Sequence, residues 1–259
     1  MHYKIKIWLV SLCLLLPLTP NAFEINDGHI HYNQDVWPML SPEQAIKYLA
    51  ENNIQRAIVS STPTEGTEKL YKLAPDRVIP FLRPYRNNRD QYTFHSDPTI
   101  LDHIKQKIDL GIYAGIGEFH LFEKHKDTLV IKEIMELAAD YQLAISAHSD
   151  FATILTLINL QPEVRVIWAH CGMDHPIADI KQALKEYPNL FCELSFRYNM
   201  FDDDEQLRPD WKKLLEENPT RFILGMDTYI PRRWANLPQH MNFFIGKMPI
   251  MSALHRMVK

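Results

Sequence analysis

The chain has 259 residues, 46% of them hydrophobic and 23% charged, and a formal net charge of -4. This composition excludes a disordered chain and suits one globular domain with a sizeable core. The mild acidity excludes the basic footprint of a protein that binds nucleic acid or anionic membranes, and three cysteines are too few for a disulfide framework.

Residues 1–22 join a short basic start (MHYKIK), an apolar stretch (IWLVSLCLLLPLT) and a small-residue end (PNA). That is the layout of a secretory signal peptide cut after Ala22, which leaves a domain over residues 23–259. The apolar stretch is shorter than the roughly 20 residues a membrane span needs, so a permanent anchor is the weaker reading. Cleavage would remove Lys4 and Lys6 and no acid, taking the formal charge from -4 to -6. The mature protein is then expected in the periplasm or outside the cell, without a stable membrane anchor. Its two remaining cysteines, Cys171 just after one strand and Cys192 within the next, read as buried structural thiols.

From Ile25 onward, eight strand-like runs alternate with helix-like runs: INDGHIHY, RAIVSS, RVIPFLRP, IYAGIGEF, LAISAHS, VRVIWAH, NLFCELS and RFILGMD. Between them, Ser41-Pro42 with Gln44 three residues after the serine is a capping box, and Asp97-Pro98 opens another helix. Ile131, Ile134, Met135 and Ala138 form one apolar stripe, and Ile180, Leu184 and Tyr187 a second, each fit to cover the outside of a barrel. The acidic run Asp202 to Glu205 reads as a helix start. No Gly-rich phosphate loop follows the first strand, which argues against a doubly wound open sheet. The fold class is therefore α/β, a single (β/α)8 TIM barrel.

Five of these runs end in residues that bind divalent metals: His29 and His31, Glu118, His148, His170 and Asp227. Parallel strands of a barrel deliver their C-terminal ends to one rim, so these residues can meet around an ion. His29 and His31, two apart on a strand, project to the same face. Each has a plainer reading alone: a core histidine satisfied by backbone for His148 or His170, and a salt bridge to Arg83 for Glu118. A carboxylate ending FILGM is costly to bury without a cation. Imidazoles with one carboxylate suit Zn²⁺ and leave a position for water, whose pKa falls toward neutrality. Asp227 could take that water's proton and pass it to a leaving group, while His170 orients or polarises. At the same rim Arg83 and Tyr85, Ser195 and Arg197, and Tyr229 and Arg232 are candidates for reading the substrate, an arginine fork suiting a carboxylate or phosphate. Trp168 reads as core packing.

The H-x-H at 29–31, GIGEF at 115–119, the strand-end His148, WAHCG at 168–172 and GMDTY at 225–229 followed by Trp234 together resemble the amidohydrolase superfamily, within the TIM-barrel metal-dependent hydrolases called amidohydrolase family 2. The resemblance covers nearly the whole mature chain. It implies that His29, His31, His148 and Asp227 ligate a catalytic Zn²⁺ or similar ion, that His170 ligates or orients, and that Glu118 can bridge a second ion. It departs from the family at its end. After Asp227 only 32 residues remain, and Gly246 and Pro249 interrupt what should be the last barrel helix, so a distorted barrel with an atypical short C-terminus, poorly ordered from about Leu237, is expected.

The expected function is an exported metal-dependent hydrolase that cleaves an amide, lactone or other ester bond of a small molecule. Two alternatives use the same residues: a non-catalytic barrel that only binds its ligand, and a metal-dependent lyase such as a decarboxylase. Nucleic acid is not an expected partner, and no sequence feature points to an oligomeric state.

Overall fold

Each strand is a short apolar run that one face of the pleat turns inward and the other outward, so it needs cover on both sides. The computed structural model describes residues 25–247, and the signal-peptide and Pro249 expectations lie outside them. Eight strands alternate with helices: β1 (Ile25–Ile30), α1 (Pro42–Glu51), β2 (Ile54–Val59), α2 (Glu65–Leu73), β3 (Val78–Leu82), α3 (Thr99–Ile108), β4 (Gly115–Leu121), α4 (Leu129–Asp140), β5 (Ala144–Ser149), α5 (Phe151–Leu160), β6 (Val166–Trp168), α6 (Ile177–Glu186), β7 (Leu190–Glu193), α7 (Pro209–Glu217) and β8 (Phe222–Ile223), followed by α8 (Pro231–Ala235) and α9 (Leu237–Lys247). All strand pairs are parallel, in the order β1 to β8. The ring is nearly closed by the main chain: Gly28 N–H donates to Leu224 at 2.7 Å, and Asp227 N–H to His29 at 2.7 Å. This is the expected (β/α)8 barrel.

The core has two parts. Ile58, Ile79, Phe81, Ala144 and Ile167 form a small cluster inside the barrel, while the larger one lies between strands and helices and takes in both expected helix stripes. Ser41 caps α1 through the anticipated reciprocal pair with Gln44. Gly28 lies where β1 meets β8, and a Cβ there would fall 2.2 Å from Ile223 Cγ2.

Three expectations are corrected. Asp202 to Glu205 is a turn in which Asp202 Oδ1 accepts from the N–H groups of Asp204 and Gln206, and α7 begins only at Pro209. Leu237–Lys247 form α9, because Leu237, Met241 and Phe244 share one buried stripe, and the rest of the segment expected to be poorly ordered lies outside the described residues. Cys171 and Cys192 are buried as anticipated, but they are bonded to each other across a Cα separation of 4.7 Å, since the turn after β6 lies against β7. Among the described residues no helix is long and apolar enough to cross a membrane.

Candidate metal centre

On β1 the inward positions are Asp27 and His29, continued by His31 just past its end, with Ile30 buried on the outer side between the two histidines. The Nε2 atoms of His29 and His31 lie 3.0 Å apart. Both face Glu118 Oε2 from β4, at 3.4 and 3.2 Å, and Asp227 Oδ1 from beyond β8, at 3.6 and 3.3 Å. The other oxygen of Glu118 meets His148 Nδ1 at 3.4 Å and His170 Nε2 at 3.5 Å, and these two nitrogens are 3.1 Å apart. All six residues expected to bind metal therefore converge on one spot, with Glu118 between two groups of histidines. His170 and Asp227 reach it from left-handed backbone, with φ of 58° and 46°. Side-chain-bearing residues seldom adopt that conformation without a constraining structure around them.

Asp227 Oδ1 is buried and has no hydrogen-bond donor. An orphaned carboxylate oxygen aimed at two imidazole nitrogens is a strong reason to infer a cation. Donor atoms 3.0 to 3.6 Å apart also match the spacing of ligands around an ion held by bonds of about 2.0–2.2 Å. The residues present fit a divalent metal.

Electrostatics agree. Burial works against the charged form of His29, but Asp227, Glu118 and Glu193 together hold its pKa well above the ordinary value. Burial likewise opposes ionisation of Glu118 and Asp227; His29 and its neighbours outweigh it, placing Glu118 well below the usual carboxylate range and Asp227 at about 2. Asp27 is pushed up to about 7 by burial, although it accepts from the His29 and Met226 N–H groups. The pocket holds anions that require a positive partner, whether a proton on His29 or a metal in its place.

Above the centre opens a cavity of about 930 Å³ whose lining includes Glu118, His148, His170 and Asp227 at its floor and Asn33, Asn87 and Arg89 at its mouth. Of the candidate substrate groups, Arg83 and Tyr229 line it. Arg83 Nε donates to the Glu118 carbonyl at 2.9 Å and Nη2 to Glu118 Oε2 at 3.2 Å, so the salt bridge considered as the plainer reading forms inside the site itself. Tyr85, Ser195 and Arg197 are buried and do not line the cavity. Tyr85 OH accepts the His120 N–H at 2.7 Å. Ser195 Oγ lies 2.8 Å from His170 Nδ1. Arg197 donates to the carbonyls of Cys171 and His175 and lies over the Trp211 ring. Arg232 is exposed, while its neighbour Arg233 donates to the Asp227 carbonyl at 3.2 Å. Trp168 is in the core, its Nε1 donating to Ser149.

Three residues at the site went unread in the sequence. His120 lines the cavity, stacked on His148 with ring centroids 4.7 Å apart, and burial lowers its pKa to about 4. Ser60 accepts His31 Nδ1–H on its carbonyl at 2.6 Å. Glu193 meets His29 Nδ1 at 2.8 Å. The available signals were an i, i+2 histidine after Glu118 and a lone acid in the apolar run LFCEL.

Among curated proteins, no sequence matches this chain. Several solved structures share its fold. A probable 2-pyrone-4,6-dicarboxylic acid hydrolase from Acinetobacter baumannii with bound citric acid superposes with a TM-score of 0.57 at 11% identity, covering 89% of this chain and 96% of that one. The TatD homologue YJJV of Escherichia coli gives 0.61 at 13% identity over 90% and 95% of the two chains. An amidohydrolase from Burkholderia multivorans with bound zinc gives 0.51 at 13% identity over 89% and 95%. The family model described as Amidohydrolase matches residues 109–247, more than half of the chain, a stretch that includes Glu118, His148, His170 and Asp227. The chain belongs to the amidohydrolase family.

Proposed function

We propose that this protein is an exported hydrolase that uses one or two divalent ions, Zn²⁺ foremost, to cleave an amide, lactone or other ester bond of a small molecule. The observation that carries the reading is the orphaned Asp227 oxygen facing the paired Nε2 atoms of His29 and His31, under a cavity of small-molecule size. Zinc in the structure of the Burkholderia relative supports the choice of ion.

His29, His31 and Asp227, with Glu118 shared, would hold one ion, and Glu118 with His148 and His170 a second. Bound metal would supply an acidified water and a Lewis acid at the floor of the cavity. Asp227 would act as base and afterwards return the proton to the leaving group, a role that its ionised carboxylate at the floor of the cavity can take. His170, whose Nε2 faces Glu118, would ligate an ion or orient the water. Arg83, anchored on Glu118, and Arg89 at the mouth favour a substrate carrying a carboxylate, and Tyr229 offers a ring beside Phe196. Tyr85, Ser195 and Arg197 act behind the wall, holding His120, His170 and the turn after β6. Placement outside the cytoplasm rests on the composition of residues 1–22.

The test is a panel of esters, lactones and amides, including carboxylate-bearing ones, assayed on zinc-reconstituted protein with identification of products. Hydrolysis that chelation abolishes is expected. A folded, zinc-loaded protein that turns over none of them points to a binding protein instead, and products formed by loss of CO₂ point to a lyase.

A further inference from the structure

The end of β7 carries a carboxylate that the expected ligand set does not use. Glu193 is completely buried. Its Oε2 accepts from His29 Nδ1 at 2.8 Å, from Ser195 Oγ at 2.9 Å and from the His170 N–H at 3.1 Å, and its Oε1 accepts from the Ser195 N–H. An ionised carboxylate only accepts, so each of these bonds fixes where a proton lies. His29 must carry its proton on Nδ1. The Ser195 hydroxyl gives its hydrogen to Glu193, which leaves Oγ able only to accept from His170 Nδ1, 2.8 Å away. The Ser195 carbonyl, 3.2 Å from the same nitrogen, imposes the same direction. Both rings are thereby left with a bare Nε2, and these are the atoms that face Glu118.

The main chain makes room for this carboxylate. A Cβ on Gly225 would fall 2.2 Å from Glu193 Oε1 and 2.6 Å from His29 Cβ. Any larger residue there would push the acid off the imidazole.

We propose that Glu193 is the positioning residue of the metal centre: directly at His29, and through Ser195 at His170, one buried carboxylate sets the tautomer of two ligands so that both offer Nε2 to a divalent cation. This rests on the metal-centre reading above. It differs from a purely structural tie between β7 and its neighbours in what it controls, since a tie holds the fold together whereas a tautomer selector holds the metal.

The experiment compares Glu193→Ala and Glu193→Gln with the unmodified protein by three measurements: Zn²⁺ affinity by competition with a chromophoric chelator, the melting temperature of the metal-free proteins, and nitrogen-15 imidazole spectra of the metal-free proteins at a pH where the rings are neutral. Zn²⁺ affinity should fall about 10–100-fold in Glu193→Ala and less in Glu193→Gln, whose amide oxygen still accepts from His29. The metal-free Glu193→Gln protein should melt close to the unmodified one. Spectra should show Nδ1–H imidazoles at His29 and His170 in the unmodified protein and mixed tautomers in Glu193→Ala. Unchanged Zn²⁺ affinity in both variants overturns the proposal, as does a melting temperature that collapses in Glu193→Gln with no change in tautomer. If the unmodified protein takes up no zinc, the functional reading fails separately, and unchanged tautomers in Glu193→Ala would still overturn the role of Glu193.

Discussion

Asp227 unites three properties seldom found in one side chain: left-handed backbone, near-complete burial and a carboxylate oxygen without a donor. Arg233 holds its carbonyl, and its N–H is donated to His29, so the carboxylate has little freedom to turn away from the centre. Asp227→Asn keeps an oxygen and nearly the same shape but removes the base. Bound zinc should be largely retained while turnover falls about 10²-fold or more, measured as kcat on a substrate found in the panel; near-normal kcat would remove Asp227 from the mechanism. His29 leads to a pH prediction. Its pKa in the metal-free protein is raised above the ordinary 6.5, so below that raised value the ring holds a proton that an incoming ion must displace. Zinc affinity should therefore rise with pH through neutrality, one proton being released by the ion that binds His29 until the raised pKa is passed, as a calorimetric titration in buffers of different ionisation enthalpy will show. The same sign applies to folding: the raised pKa contributes stability that is fully present below 6.5 and is lost as pH climbs through the folded value. An affinity independent of pH between 6 and 8 would contradict the first, and a metal-free unfolding free energy that does not fall over that range would contradict the second.

The helices after β8 act as one element that secures the end of β1. Trp234 of α8 donates Nε1–H to the His31 carbonyl at 2.8 Å and packs edge-on against Tyr32. Helix α9 follows, with Met241 and Phe244 buried and Phe244 near Phe201 from the turn before α7. Truncating a buried phenylalanine costs its transfer energy and leaves a cavity, so Phe244→Ala should lower unfolding free energy by about 3 kcal/mol in urea denaturation, without changing zinc affinity. Limited proteolysis should spare residues 237–247 as well as it spares α4. The expectation of disorder from Leu237 weighed Gly246 and Pro249 by intrinsic propensity, and propensity is a weak prior where an amphipathic face finds a partner. The acidic run at 202–205 was misread for a related reason: side-chain acceptors favour helix starts and tight turns alike, and only the position of Pro209 decided between them.

At the scale of the whole molecule the barrel closes across its weakest seam. Strand β8 has two residues, and β1 meets it through Gly28 and the His29 carbonyl. Gly28→Ala would drive a methyl into Ile223 and should destabilise the protein by about 1–3 kcal/mol, the usual cost of overpacking. Because His29, His31 and Asp227 lie on the two sides of that seam, a bound ion would staple it. Zinc at a free concentration 100 times its Kd should raise stability by about 2.7 kcal/mol, and chelation should reverse the gain, both seen as shifts in melting temperature. Equal melting temperatures with zinc and with chelator would argue against metal bound across β1 and β8.

The alternation of strand and helix, the stripes of α4 and α6, the α1 cap and the histidines and carboxylates that meet at the rim were all legible in the sequence. They are local: a period of two or 3.6, a cap three residues long and an acid or histidine ending an apolar run each declare themselves within a few neighbours. Which polar groups face the cavity and which stand behind its wall was decided only by tertiary structure. Ser195 and Arg197 end a strand just as Arg83 does, yet the curvature of the barrel turns them onto His170 and onto the carbonyls of Cys171 and His175. Glu193 shows the limit most plainly. Its partner His29 is 164 residues away in the chain, and its room is made by Gly225 on a third segment. Burial of a charge is settled by contacts distant in sequence, so one acid in LFCEL could not reveal by itself that it would meet an imidazole.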